Sequence, residues 1–85
     1  MSYRILITKQ VEKQLNALPQ KVATRVDEHI KALREEPRPF GVKKLRGYTD
    51  SYRVRVGNHR IIYTIDDRAQ TITLLTVDDR KDVYR

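Results

Sequence analysis

The chain has 85 residues and a formal net charge of +7, from 18 Lys/Arg against 11 Asp/Glu, with no cysteine and two histidines. Disulfide frameworks, cysteine nucleophiles and thiolate zinc sites are excluded, and His29 and His59 are too few and too isolated for a histidine metal site. The length suits one domain over 1–85, and the apolar run Ile5-Leu6-Ile7 is far short of a signal or membrane segment, so a soluble cytoplasmic protein with no membrane contact is expected.

Tyr3–Thr8 alternates and is rich in β-branched residues, which predicts a strand. Thr8 offers a capping oxygen to a short helix carrying Val11, Leu15 and Leu18 at i, i+4 and i+7. Pro19 suits the first turn of a second helix, where its missing N–H costs nothing. Val22, Val26, Ile30 and Leu33 form that helix's apolar stripe, Lys21, Arg25, Glu28 and Glu35 lie mostly off it, and Pro37 and Pro39 end it. The two helices make an αα-hairpin. After a short strand at Val42–Leu45, the period changes to two. Ser51–Val56 and His59–Ile65 are predicted strands joined by Gly57-Asn58, the residues of a type II′ turn. A polar turn at Asp66–Ala69 leads to a third strand, Thr71–Val77. The expected fold is α+β: an N-terminal strand and an αα-hairpin packed on a twisted, mainly antiparallel β-sheet, in the order βααβββ.

The charge is concentrated. Residues 41–63 hold six basic side chains (Lys43, Lys44, Arg46, Arg53, Arg55 and Arg60) against Asp50 alone. Concentrated Lys/Arg of this kind points to a polyanionic partner. The two-residue turn sets a register in which Val56 faces His59, Arg55 faces Arg60, Val54 faces Ile61 and Arg53 faces Ile62. Val54, Val56, Ile61 and Tyr63 then share the face that the helices cover, while Arg53, Arg55 and Arg60 share the other. Like charges directly opposite across a strand pair are destabilising. Three arginines with no interleaved carboxylate on that face therefore mark an anion site rather than a solvated sheet. Lys43, Lys44 and Arg46, just before Gly47, are candidate RNA-positioning residues. His59 and His29 read as partly buried structural histidines. Asp78-Asp79-Arg80 reads as a turn after the third strand. No phosphate-loop glycine pattern, nucleophile elbow or zinc-protease motif is present.

The Lys44-Leu45-Arg46-Gly47 stretch, the hairpin from Tyr52 to Tyr63 and the ending Arg80-Lys81-Asp82-Val83-Tyr84 together resemble RelE toxins of the RelE/ParE superfamily of bacterial toxin–antitoxin systems. The resemblance covers essentially the whole chain. It implies a metal-independent, cofactor-free endoribonuclease that cuts mRNA in the ribosomal A site by attack of a ribose 2′-hydroxyl on the adjacent phosphate. A cognate RelB-like antitoxin is implied as neutralising partner, with operator DNA contacted indirectly through the antitoxin. Arg53, Arg55, Arg60 and Arg80 match basic residues of the family's active site, and Tyr84 matches its C-terminal tyrosine. Some relatives carry lysine at positions 53 and 55, and many carry histidine where this chain has Asp79. Arginine clamps phosphate well but moves protons poorly, so two assignments of the base stay open. Tyr84 takes the proton, its phenolate made more accessible by neighbouring arginines, or Tyr84 stacks on a base and Asp79 takes the proton. The alternatives on the same fold are a ParE-like inhibitor of DNA gyrase and a catalytically weak RNA- or ribosome-binding protein.

Overall fold

A computed structural model describes residues 2–45 and 51–79, with Asp79 described by its backbone alone. Its elements are strand β1 (Arg4–Ile7), helices α1 (Lys9–Asn16) and α2 (Gln20–Glu35), and strands β2 (Lys43–Lys44), β3 (Ser51–Val56), β4 (His59–Asp66) and β5 (Thr71–Asp79). The expected α+β order is present. The strands form one sheet in the order β1-β5-β4-β3-β2, in which β1 runs parallel to β5 and every other pair is antiparallel.

Thr8 caps α1 as its sequence position predicts, its Oγ1 accepting from the Val11 N–H at 3.2 Å. A helix of eight residues is not stable alone. α1 is fixed to the sheet by Val11, which is fully buried, and by Gln14, whose Oε1 accepts from the backbone N–H of Val77 at 2.7 Å. Gln14 thereby satisfies an edge of β5 where β1 has already ended. Pro19 stands one position earlier than predicted: it is the N-cap of α2, with ψ of 147°, and its carbonyl accepts the first helical bond from Ala23. Val26, Ile30 and Leu33 of α2 are buried, and Val22 is packed at the margin.

Against them lie Tyr52, Val54 and Val56 of β3, Ile61, Tyr63 and Ile65 of β4, and Ile72, Leu74 and Val77 of β5, all buried. The hairpin register is the expected one, from Val56 opposite His59 to Arg53 opposite Ile62. Gly57 has φ of +61° and Asn58 stays at negative φ, as a type II′ turn requires. Several boundaries differ from expectation: β1 is Arg4–Ile7 and not Tyr3–Thr8, and Leu18 lies beyond the end of α1. β2 is confined to Lys43–Lys44. β4 extends to Asp66, and the turn after it covers residues 67–70. β5 runs on to Asp79, so Asp78 and Asp79 are strand residues and not a turn. His59 is half-buried as expected, whereas His29 is exposed on α2, because the apolar stripe turns the other way.

Pairing between β4 and β5 shifts by one residue: Tyr63 pairs with Leu74 but Ile62 pairs with Thr76, leaving Leu75 as a bulge. Side chains alternate faces with a period of two, so one extra residue exchanges the faces of everything beyond it. Leu74 and Val77 therefore both face the helices, and Asp78 lies opposite Arg60.

A polar network ties the α2–β2 connection to the sheet. Tyr63 donates its hydroxyl to the carbonyl of Pro37 at 2.8 Å, in the core. Arg38 donates to the Tyr52 hydroxyl at 3.1 Å, lies over the Tyr52 ring, and makes a two-pronged pair with Asp67. Tyr3 donates to the same carboxylate at 2.7 Å. The Arg38 hydrogen bond, followed by that of Tyr3, holds the Asp67 carboxyl below the ordinary carboxylate range. A depressed folded-state pKa gives stability that is present above the unfolded value of about 3.9 and is lost as pH falls through the folded value. Asp67→Asn is therefore expected to lower the urea midpoint at neutral pH, with the gap to the wild type closing in acid. A gap independent of pH would show that the charge of Asp67 contributes nothing.

Candidate functional site

The uncovered face of the β3–β4 hairpin carries the arginines. Arg55 and Arg60 are direct cross-strand partners, and Arg53 lies two residues along, opposite Ile62 on one side and Lys43 on the other. Lys43, Arg53, Arg55 and Arg60 thus form one cationic band across three strands. Both lysines are exposed, but Lys44 is in register with Tyr52. The basic pair is therefore split: Lys43 joins the arginines by register and Lys44 does not. Arg46, Arg80 and Tyr84 lie outside the described residues. Asp79 pairs through its backbone with His59.

The expectation that this face has no carboxylate is overturned. Asp78, brought there by the bulge, accepts a hydrogen bond from Arg60 Nε at 3.2 Å. The pair is mostly sheltered, the side chains of Arg60 and Asp78 being 15% and 28% exposed. Two guanidinium groups facing each other across a strand pair repel, and one neighbouring carboxylate offsets part of that cost. Among the described residues, Arg53 and Arg55 make no ion pair.

The Asp78 oxygen on Arg60 Nε occupies a place that a phosphate oxygen can take, since a guanidinium donates to either anion. Arg60 is therefore already oriented to hold an oxyanion, and Arg53 and Arg55 extend the same binding surface. Together they can neutralise a phosphodiester and the extra charge it gains when attacked. None of the three supplies a proton acceptor. Asp78 is the residue that the sequence reading passed over. The only signal for it was the Leu74-Leu75 doublet, which breaks the alternation of β5.

A profile of the family described as "ParE toxin of type II toxin-antitoxin system, parDE" matches residues 5–84. Among curated proteins, Toxin RelG of Mycobacterium tuberculosis is 33% identical over 86 residues, covering 100% of this chain and 99% of that protein. The chain is a RelE-type toxin of the RelE/ParE superfamily. Solved structures of RelE-type toxins agree. In the archaeal RelE–RelB complex from Pyrococcus horikoshii, the matching chain is 39% identical, with a TM-score of 0.84 over 94% of this chain and 97% of that one. In the toxin–antitoxin complex RelBE2 of Mycobacterium tuberculosis, identity is 30% and the TM-score 0.83, over 94% and 93% of the two chains. This RelE-type toxin therefore belongs to a type II toxin–antitoxin system, and the ParE-like alternative is not favoured. No helix among its described residues is long and apolar enough to cross a membrane.

Proposed function

We propose that this toxin is a metal-independent, ribosome-dependent endoribonuclease that cuts mRNA in the A site and is neutralised in the cytoplasm by a RelB-like antitoxin. The observation that supports this most is the band of Arg53, Arg55 and Arg60, the last held in place by Asp78. In the proposed reaction the 2′-oxygen forms a bond to the adjacent phosphorus and the bond from phosphorus to the 5′-oxygen breaks. The products are a 2′,3′-cyclic phosphate and a 5′-hydroxyl. The arginines carry the phosphorane charge, and an incoming phosphate competes with Asp78 for Arg60. The 2′-proton goes to Tyr84 or Asp79, the leaving 5′-oxygen takes up one proton from water to become the hydroxyl, and Arg80 adds a further cation. Lys43 and Arg46 position neighbouring phosphates, and Lys44, in register with Tyr52, is left out of that role.

The RelE–RelB complexes of relatives support a RelB-type antitoxin as partner, and the basic surface favours an acidic one. Through that antitoxin the pair reaches operator DNA.

Primer extension in a purified translation system, with and without ribosomes, tests the reading. Ribosome-dependent breaks at A-site codons are expected. If Tyr84 takes the proton, Tyr84→Phe is expected to lower cleavage by roughly 10²–10⁴-fold, the usual contribution of an acid–base group, while antitoxin binding persists; if Asp79 takes it and Tyr84 stacks, Tyr84→Phe keeps most of the cleavage. Stalled but uncut message would show that the protein occupies the site without doing the chemistry, and the enzymatic reading would fall.

A further inference from the structure

We propose that the cavity flanking the arginine face is a nucleobase subsite, in which Phe40 stacks on a base of the RNA strand whose phosphates lie on Arg53 and Arg55. This rests on the nuclease reading above. The cavity, of about 350 Å³ and open to solvent on one side, is bounded by the connection after α2, by His29 and by the outer edge of β3, with Phe40, Lys43, Arg53, Val54 and Arg55 in its wall. Two of the arginines proposed to hold phosphate thus also line this cavity. Among the described residues its wall holds cations and apolar groups but no carboxylate.

Phe40, the only phenylalanine in the chain, is fully exposed. The backbone that carries it is nonetheless held on both sides. Pro37 is buried and its carbonyl is bound by Tyr63, and Arg38 is held by Tyr52 and Asp67. On the far side, Val42 donates its N–H to the carbonyl of Pro39 at 3.1 Å, and Gly41 takes φ of +91°. An aromatic ring presented to solvent on an anchored loop loses little freedom when it meets a flat partner. Single-stranded RNA supplies that partner, since its bases stack on aromatic side chains while its phosphates follow a basic surface.

A peptide strand added to β3 is the competing occupant. Among the described residues β2 pairs with β3 only at Tyr52 and Arg53, and no described strand lies beside Val54–Val56 on that side. Three residues ending at the Gly57 turn are short for strand addition, and strand addition makes no use of the outward Phe40 ring.

The chain has no tryptophan, so Phe40→Trp installs a single fluorophore at the proposed stacking position. It is titrated with a 2′-O-methyl RNA pentanucleotide, which binds but has no nucleophile, with the same strand made abasic, and with an acidic peptide of alternating Glu and Leu. Quenching by the base-bearing strand is expected, with none from the abasic strand. In anisotropy measurements Phe40→Ala is expected to weaken RNA binding about ten-fold, the loss of one stacked base, without changing the salt slope. Arg55→Ala is expected to weaken binding and flatten that slope. Equal quenching by the abasic strand overturns the subsite, as does quenching by the peptide but not by RNA. RNA binding that depends on Arg55 and not on Phe40 overturns the subsite and leaves the arginine surface standing. Absence of RNA binding also overturns the subsite, and the nuclease reading is then decided by ribosomal cleavage alone.

Discussion

Replacing Arg60 with alanine is expected to lower message cleavage on programmed ribosomes by roughly 10²–10³-fold, the usual loss when one donor to a developing oxyanion is removed. Of Arg53, Arg55 and Arg60, Arg60 is the one that the fold orients most firmly, with its side chain sheltered and its Nε on Asp78. The same substitution relieves the repulsion with Arg55, so the protein is expected to stay folded and to bind its antitoxin; a melting curve and a pull-down check both. Asp78→Asn separates two roles. If Asp78 only orients Arg60, cleavage falls far less than in Arg60→Ala and keeps the wild-type pH profile. Full cleavage by Arg60→Ala would show that the arginine band is merely a solvated sheet face, and the proposed site would be lost.

Tyr63→Ala is expected to cost about 3–5 kcal/mol, as other large aromatic truncations in cores do. Tyr63 is the largest fully buried side chain and stacks on Tyr52 with ring centroids 6.0 Å apart. Its loss also leaves the buried carbonyl of Pro37 without its donor. A domain of this size has a total stability of roughly 5–15 kcal/mol, so a substantial fraction of the variant is expected to be unfolded on warming. Urea titration measures the loss, and a change under about 1 kcal/mol would contradict the packing described. Tyr63→Phe keeps the ring and tests the hydroxyl. Burial pushes the Tyr63 phenol above its ordinary value, so the folded protein keeps that proton where the unfolded chain gives it up. Wild-type stability is therefore expected to decline as pH rises past about 10, and Tyr63→Phe to remove that part of the decline.

The hairpin could be read from sequence because its rule is local. A two-residue turn admits one register, and the period of two then assigns every side chain from Arg53 to Tyr63 to a face. The helices were legible for the same reason, through Thr8 and the stripe from Val22 to Leu33. Asp78 was not. Its place depends on one bulged residue, Leu75, in a strand whose sequence carries no turn signal there, so the carboxylate appeared to lie in a loop. The Arg38 network was equally hidden. It joins Tyr3, Tyr52 and Asp67, residues far apart in the chain, through contacts that no local pattern encodes. Phe40 gave no periodic signal because it lies in the connection between α2 and β2.

The parallel pairing of β1 with β5 bears on the order in which the molecule can be made. Arg4 finds its neighbour in Thr71, and β5 is the strand that joins β1 to β4. A growing chain contains the arginine hairpin before it contains the strand that supplies Asp78 and the wall against which α1 lies. Contacts so distant in sequence are slow to form, since a long loop must close before they return any energy. Synthesis of the cationic residues and assembly of the surface that presents them are therefore separated in time. A nascent toxin passes through an interval in which it carries its charges without its architecture.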